Sequence, residues 1–110
     1  MKRPVGTIAE DTPILPFVIA DNVVRELGAY LYREHAIELD APEALVKKLT
    51  SRAKAFYQAN ERWRKKVRRN PTFGRDWLYT YMRHWLASEK RDLLYAGKIP
   101  WTFANGEALR

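Results

Sequence analysis

Lysine and arginine side chains recur along one side of the segment 43–69, which contains neither glycine nor proline. On an α-helix, where each residue turns by about 100°, these cations fall within about 60° of one line. We call them the basic stripe: Lys47, Lys48, Lys54, Arg62, Lys65, Lys66 and Arg69. In a continuous helix the stripe is about 33 Å long. Clustered ammonium and guanidinium groups bind phosphate oxygens, so the pattern predicts a surface for a polyanion.

The opposite side of this segment is apolar, with Leu45, Leu49, Phe56, Trp63 and Val67 on one line. One interpretation is therefore an ordinary amphipathic helix with a solvated cationic face, since Lys and Arg favour helices. Solvated faces usually mix both signs of charge, however, whereas six of the eight residues from 62 to 69 are basic. Self-repulsion in such a run is relieved by a polyanion or by an acidic protein surface, which favours a binding function.

Fourteen aromatic residues, namely four Trp, six Tyr and four Phe, supply most of the expected core. Trp77, Tyr81 and Trp85 share one face of a predicted helix and are assigned to that core. Tyr79 instead projects beside Arg83, and a tyrosine among cations can stack on a base or a sugar. The alternative is a half-buried tyrosine with its hydroxyl in water. We include Tyr79 and Arg83 among the candidate nucleic-acid-binding residues.

Residues suited to catalysis or metal binding are sparse. The chain has no cysteine, its two histidines are His35 and His84, and its five glycines are scattered. Neither histidine belongs to a triad pattern, and no spacing implies a third metal ligand beside His35 and Glu38. No glycine-rich phosphate loop occurs. The sequence therefore predicts a protein that is not an enzyme and that uses no cofactor or metal.

The net charge of +7 is unevenly distributed along the 110 residues. Residues 41–70 contain ten basic and two acidic side chains, whereas residues 1–40 contain four basic and seven acidic ones. This asymmetry indicates an electrostatic interaction surface in the middle of the chain. No apolar run approaches the roughly 20 residues that span a bilayer, and no targeting signal is recognisable, so we expect a cytoplasmic protein with no membrane partner.

The pattern of apolar spacings and capping residues predicts a mainly α fold, a small three-helix domain with a long basic middle helix. The first helix is expected from Asp21 to about Leu39, the second without interruption to Arg69. The third begins near Phe73 to Asp76 and continues to Tyr95 with Gly97 as its C-terminal cap, or else Ser88 caps a separate short helix. Residues 1–20 are predicted as an extended arm or strand, and residues 21–110 as a single helical domain. Short β-strands are expected near both termini, at 17–19 and 101–104, the latter with a core-filling loop as the alternative.

Two functions from different classes fit these features. The first is a small helical nucleic-acid-binding protein, for DNA or RNA, that contacts the phosphate backbone with little sequence specificity. The second is a non-enzymatic adaptor or inhibitor whose basic helix docks on an acidic protein surface. In a related form the acidic first third of one subunit meets the basic helix of another, which makes a homo-oligomer.

Overall fold

The computed structural model describes residues 15–109, of which 79% lie in six helices, and it contains no β-strand in that range. The helices are α1 (Pro16–His35), α2 (Pro42–Ala59), α3 (Glu61–Arg69), α4 (Pro71–Glu89), α5 (Arg91–Tyr95) and α6 (Trp101–Ala104). The prediction of a mainly α fold is confirmed, and the prediction of short β-strands is wrong. Residues 1–14 of the expected arm lie outside the described part of the chain.

Helix α1 begins at Pro16, five residues before the expected start at Asp21. Proline fits the first turn of a helix because the missing N–H has no intrahelical acceptor there. Ile19 and Ala20 then extend the buried line of Val23 and Leu27 by one further turn. Burial of this apolar side explains why the β-prone residues 17–19 are helical, since tertiary packing overrides local propensity.

The long middle helix of the sequence prediction is divided at Asn60 into α2 and α3. The side-chain Oδ1 of Asn60 accepts a hydrogen bond from the backbone N–H of Trp63 at 3.3 Å and so caps α3. Arg64 completes the break from the other side, because its Nη1 donates to the backbone carbonyls of Tyr57 (2.7 Å) and Gln58 (2.6 Å) near the end of α2. The prediction of an uninterrupted helix is wrong because these side chains satisfy the backbone groups that the break exposes.

Replacing Asn60 with alanine is expected to lower the free energy of unfolding by about 1 kcal/mol, since an N-cap is lost. The measurement is urea denaturation followed by circular dichroism. The matched control is Gln58→Ala, whose side chain is exposed and forms no hydrogen bond within residues 15–109, and it should change stability by less than about 0.5 kcal/mol. An increase in stability for Asn60→Ala would show that α2 and α3 can merge without cost.

The core lies where α4 packs against α1, α2, α3 and α6. Leu27 of α1, Leu49 of α2, Met82 of α4 and Phe103 of α6 are each at most 1% exposed. The C-terminal segment is thus a short helix that inserts Phe103 into the core, whereas Trp101 stays on the surface. The chain turns out of α5 at Gly97, the expected cap, whose φ of +78° suits glycine.

The molecule is elongated, with principal extents of 50 × 23 × 22 Å. Its radius of gyration of 15.1 Å exceeds the value of about 12 Å that is typical of a compact domain with 95 residues. In this elongated shape little of helix α3 is covered. Its buried residues are Trp63 and Val67, and its other side chains are exposed or half-buried. No helix between residues 15 and 109 is both long enough and apolar enough to cross a membrane.

Candidate nucleic-acid interface

All seven side chains of the basic stripe are exposed. Helix α2 carries Lys47, Lys48 and Lys54, and α3 carries the other four cations. Because the backbone leaves helical geometry at Asn60, with φ −125° and ψ 83°, the stripe consists of two helical segments and is not one straight line. The sequence predicted the exposure of these residues, but only the structure shows the break between them.

Helix α3 is the most strongly charged element, since six of its nine residues are Lys or Arg. Trp63 and Val67 attach it to the core, and this anchoring turns Arg62, Lys65 and Arg69 towards solvent. Neutralisation of these cations by the helix itself is weak. Its one acidic residue, Glu61, lies 3.4 Å from Lys65 Nζ, and both side chains are more than 60% exposed. An ion pair of that kind contributes little to stability and does not occupy the surface.

Apart from Lys65, the cations of the stripe form few ion pairs or ring contacts among residues 15–109. Lys48 Nζ forms an ion pair with Glu89 Oε1 at 2.9 Å, which joins α2 to the end of α4. Lys66 Nζ lies 5.8 Å from the centroid of the Phe73 ring. Lys47, Lys54, Arg62 and Arg69 contact no acidic side chain in that part of the chain. The surface is therefore predominantly positive, and most of its charge is available to a ligand.

Arg64 does not belong to this available charge. Its guanidinium is held by the two α2 carbonyls described above and lies 6.0 Å from the Tyr57 ring centroid. The side chain is half-buried, and its role is to join α3 to α2. On the helical wheel of the sequence Arg64 lies about a quarter turn from the apolar line, and it was therefore not included in the basic stripe.

A row of aromatic rings runs along α4 beside the stripe. Phe73, Trp77, Tyr81 and Trp85 are spaced by four residues and therefore lie on one side of the helix. Their successive ring centroids are 5.5, 5.2 and 5.8 Å apart. Trp85 is buried, but Trp77 is 40% exposed, so the row emerges from the core towards its N-terminal end. The helical spacing in the sequence predicts Trp77 in the core, because this spacing cannot show where the covering helix ends.

The aromatic row, α2 and α3 enclose a shallow depression of about 140 Å³. We call it the aromatic depression, and it is lined by Phe56, Asn60, Arg62, Trp63, Lys66, Phe73, Trp77 and Tyr81. Two of these residues, Arg62 and Lys66, are also members of the basic stripe. The depression and the stripe are consequently one continuous surface, which could not be predicted from the sequence.

Trp63 has an unusual position in the wall of the aromatic depression. Its ring meets Phe56 and Tyr57 edge to face, at centroid distances of 5.2 and 5.5 Å. Its indole N–H is buried and has no hydrogen-bond acceptor within residues 15–109. An unsatisfied buried donor costs about 1–3 kcal/mol. Packing of the three rings compensates for part of this cost.

A further cation on this surface is Arg52 of α2, which is not a member of the basic stripe. Its guanidinium carbon lies 4.7 Å from the centroid of the Trp85 ring. The side chain is exposed and continues the positive charge along the aromatic row. On the helical wheel Arg52 lies closer to the apolar line than the stripe residues do, so the sequence did not group it with them. The wheel of a single helix also does not show rings that belong to α4.

Tyr79 and Arg83 lie elsewhere, about 160° and 120° around α4 from Trp77. The Tyr79 hydroxyl accepts a hydrogen bond from Asn22 Nδ2 at 2.9 Å. Arg83 donates to Glu26 Oε1 through Nε and Nη2, at 3.2 Å each, and to the carbonyl of Gly106 through Nη1 at 3.1 Å. Both residues are half-buried and hold α4 to α1 and to the C-terminal segment. The structure does not bring them together with the basic stripe.

An acidic groove of about 500 Å³ lies between α1 and α2. Three carboxylates contribute to its lining, from Asp21, Glu38 and Glu43, and Arg25 pairs with Asp21 at 2.8 Å. Its apolar floor includes Val24, Leu39 and Val46. Two of the three carboxylates, Asp21 and Glu38, come from the acidic first third of the chain, and the lining includes none of the seven residues of the basic stripe.

The basic stripe and the aromatic depression together offer positive charge and exposed ring surface, which suit ligand binding. Within the described chain no three His, Cys, Asp or Glu side chains come close enough to hold a metal ion. His84 Nδ1 lies 3.3 Å from the carbonyl of Ala104, so it contacts the C-terminal segment. Comparison of the chain with protein-family models, curated proteins and solved structures found no match.

Proposed function

We propose that this protein binds nucleic acid through the basic stripe and contacts mainly the phosphate backbone. The observation that supports the proposal best is the exposed surface of α3, where Arg62, Lys65, Lys66 and Arg69 point outward with Glu61 as the one acid of the helix. Binding to phosphates relieves the mutual repulsion of these cations. Contacts of this kind carry no sequence information, so we expect little sequence specificity.

The spacing of the α3 cations suits a polyanionic strand. Residues three and four positions apart on a helix are neighbours, with about 5–6 Å between their Cβ atoms. Arg62, Lys65 or Lys66, and Arg69 therefore form a row of adjacent charges that can contact successive phosphates. Guanidinium groups at both ends of the row add two-pronged hydrogen bonds to phosphate oxygens. In this proposal the protein is a cytoplasmic binding protein that has no catalytic activity and uses no cofactor or metal.

Binding to a labelled single strand is expected to weaken steeply as salt is added. Each neutralised phosphate releases counterions, so a plot of log affinity against log salt has a slope of about −0.7 per contact for single strands. Four to seven contacts from the stripe predict a slope between about −3 and −5. Fluorescence anisotropy at several NaCl concentrations measures it. A slope close to zero, or no binding at low salt, would contradict the proposal.

Self-association is the second candidate, because the acidic groove gives it a specific basis. In this arrangement the groove between α1 and α2 of one subunit receives the basic stripe of another. Sedimentation velocity at low salt separates the candidates: a concentrated sample that stays monomeric excludes self-association. A monomer that also binds no nucleic acid leaves an acidic protein as the partner.

A further inference from the structure

We infer that the aromatic depression receives an unpaired nucleobase, so that the protein selects single-stranded over duplex nucleic acid. This inference rests on the proposed function and specifies which form of nucleic acid the same surface binds. It is carried by the position of the depression, whose rim residues Arg62 and Lys66 belong to the basic stripe. A phosphate held by these two cations places its own nucleotide beside the rings.

The size and the wall of the aromatic depression suit one planar ring. Its volume of about 140 Å³ compares with the cavity of about 150 Å³ that admits a benzene molecule in an engineered protein interior. The wall is formed mainly by aromatic side chains, and stacking on aromatics is how sequence-tolerant proteins hold single strands. A base can enter because the depression opens to the surface.

Trp77 offers the stacking surface. The side chain is 40% exposed, a large fraction for a tryptophan next to the core. Phe73 and Tyr81 contact it at interplanar angles of 56° and 54°. By contrast, Tyr81 and Trp85 lie nearly parallel, at 9°, in an offset-stacked arrangement. Neither neighbour stacks flat on the Trp77 indole, which leaves ring surface for a base.

Asn60 adds a polar group to the same wall. Its Oδ1 caps α3, while its Nδ2 has no acceptor within residues 15–109. An amide N–H can donate to a ring nitrogen or a carbonyl oxygen, and every nucleobase has such an acceptor. Bases in a duplex are stacked and paired, so they cannot enter a depression of this kind without leaving the helix. The structure thus assigns phosphate binding to the stripe and selection of single strands to the aromatic depression.

The experiment compares Trp77→Ala with Trp101→Ala in fluorescence anisotropy. Trp101 is also exposed, at 57%, but it lies on α6 and does not line the depression. The ligands are a labelled single-stranded oligonucleotide, the same strand with abasic sites, and its duplex. We expect Trp77→Ala and the abasic strand each to lower affinity about tenfold, with the duplex affinity of the variant unchanged. Trp101→Ala should match the wild type on all three ligands.

Two further measurements keep the result interpretable. Thermal unfolding shows whether Trp77→Ala is folded, and Trp77→Phe, which retains a ring, should recover most of the affinity. If Trp77→Ala binds the single strand like the wild type while charge reversal in the stripe still abolishes binding, the inference about the base is overturned and the proposed function stands. If the wild type binds neither single strand nor duplex at low salt, both fail. Equal losses on single strand and duplex would overturn the preference for single strands.

Discussion

Replacing Arg62, Lys65 and Arg69 together with glutamate is expected to lower the affinity for a single strand by about 100-fold or more at low salt. The three side chains are exposed, and none of them supports the core. Their replacement removes three phosphate contacts and places three negative charges beside the strand. The slope of log affinity against log salt should become shallower by about 2. The measurement is the anisotropy titration described above.

The matched control reverses three cations outside the stripe, Arg25, Arg91 and Lys98. The net charge of the protein then changes by the same amount as in the triple stripe variant. If binding depends on the stripe, the control should lose much less affinity and should keep its salt slope. Equal losses in the two variants would mean that net charge, and not the surface of α3, attracts the ligand. Circular dichroism should show the same helix content for both.

Replacing Glu26 with alanine should lower the free energy of unfolding by about 3 kcal/mol, the largest stability effect that we expect from a single change of a charged residue. Glu26 Oε1 accepts two hydrogen bonds from Arg83, and Glu26 Oε2 accepts one from the backbone N–H of Leu109. The two side chains are only 19% and 12% exposed. Removal of the carboxylate leaves the guanidinium poorly solvated and without its counter-charge.

The comparison for Glu26→Ala is Asp21→Ala on the same helix. Asp21 pairs with Arg25, whose side chain is 78% exposed, so its loss should cost less than about 0.5 kcal/mol. Chemical denaturation measures both variants. Glu26→Ala should also retain the nucleic-acid affinity of the wild type under conditions where it is folded, because Arg83 lies away from the stripe. Similar stabilities for the two variants would contradict a structural role for the Glu26–Arg83 pair.

Local rules in the sequence were sufficient for part of the fold and part of the candidate site. The spacing of apolar residues predicts helical structure in segments that α1, α2, α3 and α4 occupy, because the buried side of a helix repeats every three or four residues. The same periodicity predicts that Lys47, Lys54 and Arg69 are exposed, since a cation opposite an apolar line faces solvent. The Asn70-Pro71 pair predicts the boundary between α3 and α4, where Asn70 Oδ1 caps the Phe73 N–H at 3.1 Å.

The break at Asn60 and the helical state of residues 17–19 depend on interactions that the apolar spacing does not show. These are side-chain hydrogen bonds to the backbone of a neighbouring helix and packing against residues that are distant in the sequence. The break at Asn60 was not predicted, because the absence of glycine and proline indicates only that a helix is allowed. The interruption is favourable because the Asn60 side chain caps the second helix and the Arg64 guanidinium donates hydrogen bonds to two carbonyls of the first. The strand predicted at 17–19 failed for a similar reason, since burial of Ile19 against the core outweighs β-propensity.

The amino-acid sequence by itself determined that the chain is mainly helical and that its positive charge lies on one side of residues 47–69. Both follow from periodicity and composition, which need no knowledge of packing. Only the tertiary structure decided which aromatic and charged side chains meet. It places Trp77 at the edge of the core beside Arg62 and Lys66, and it places Arg83 against Glu26, 57 residues away in the chain. The physical reason is that helix packing, and not the residues of any one helix, determines which side chains are covered and which charges are paired.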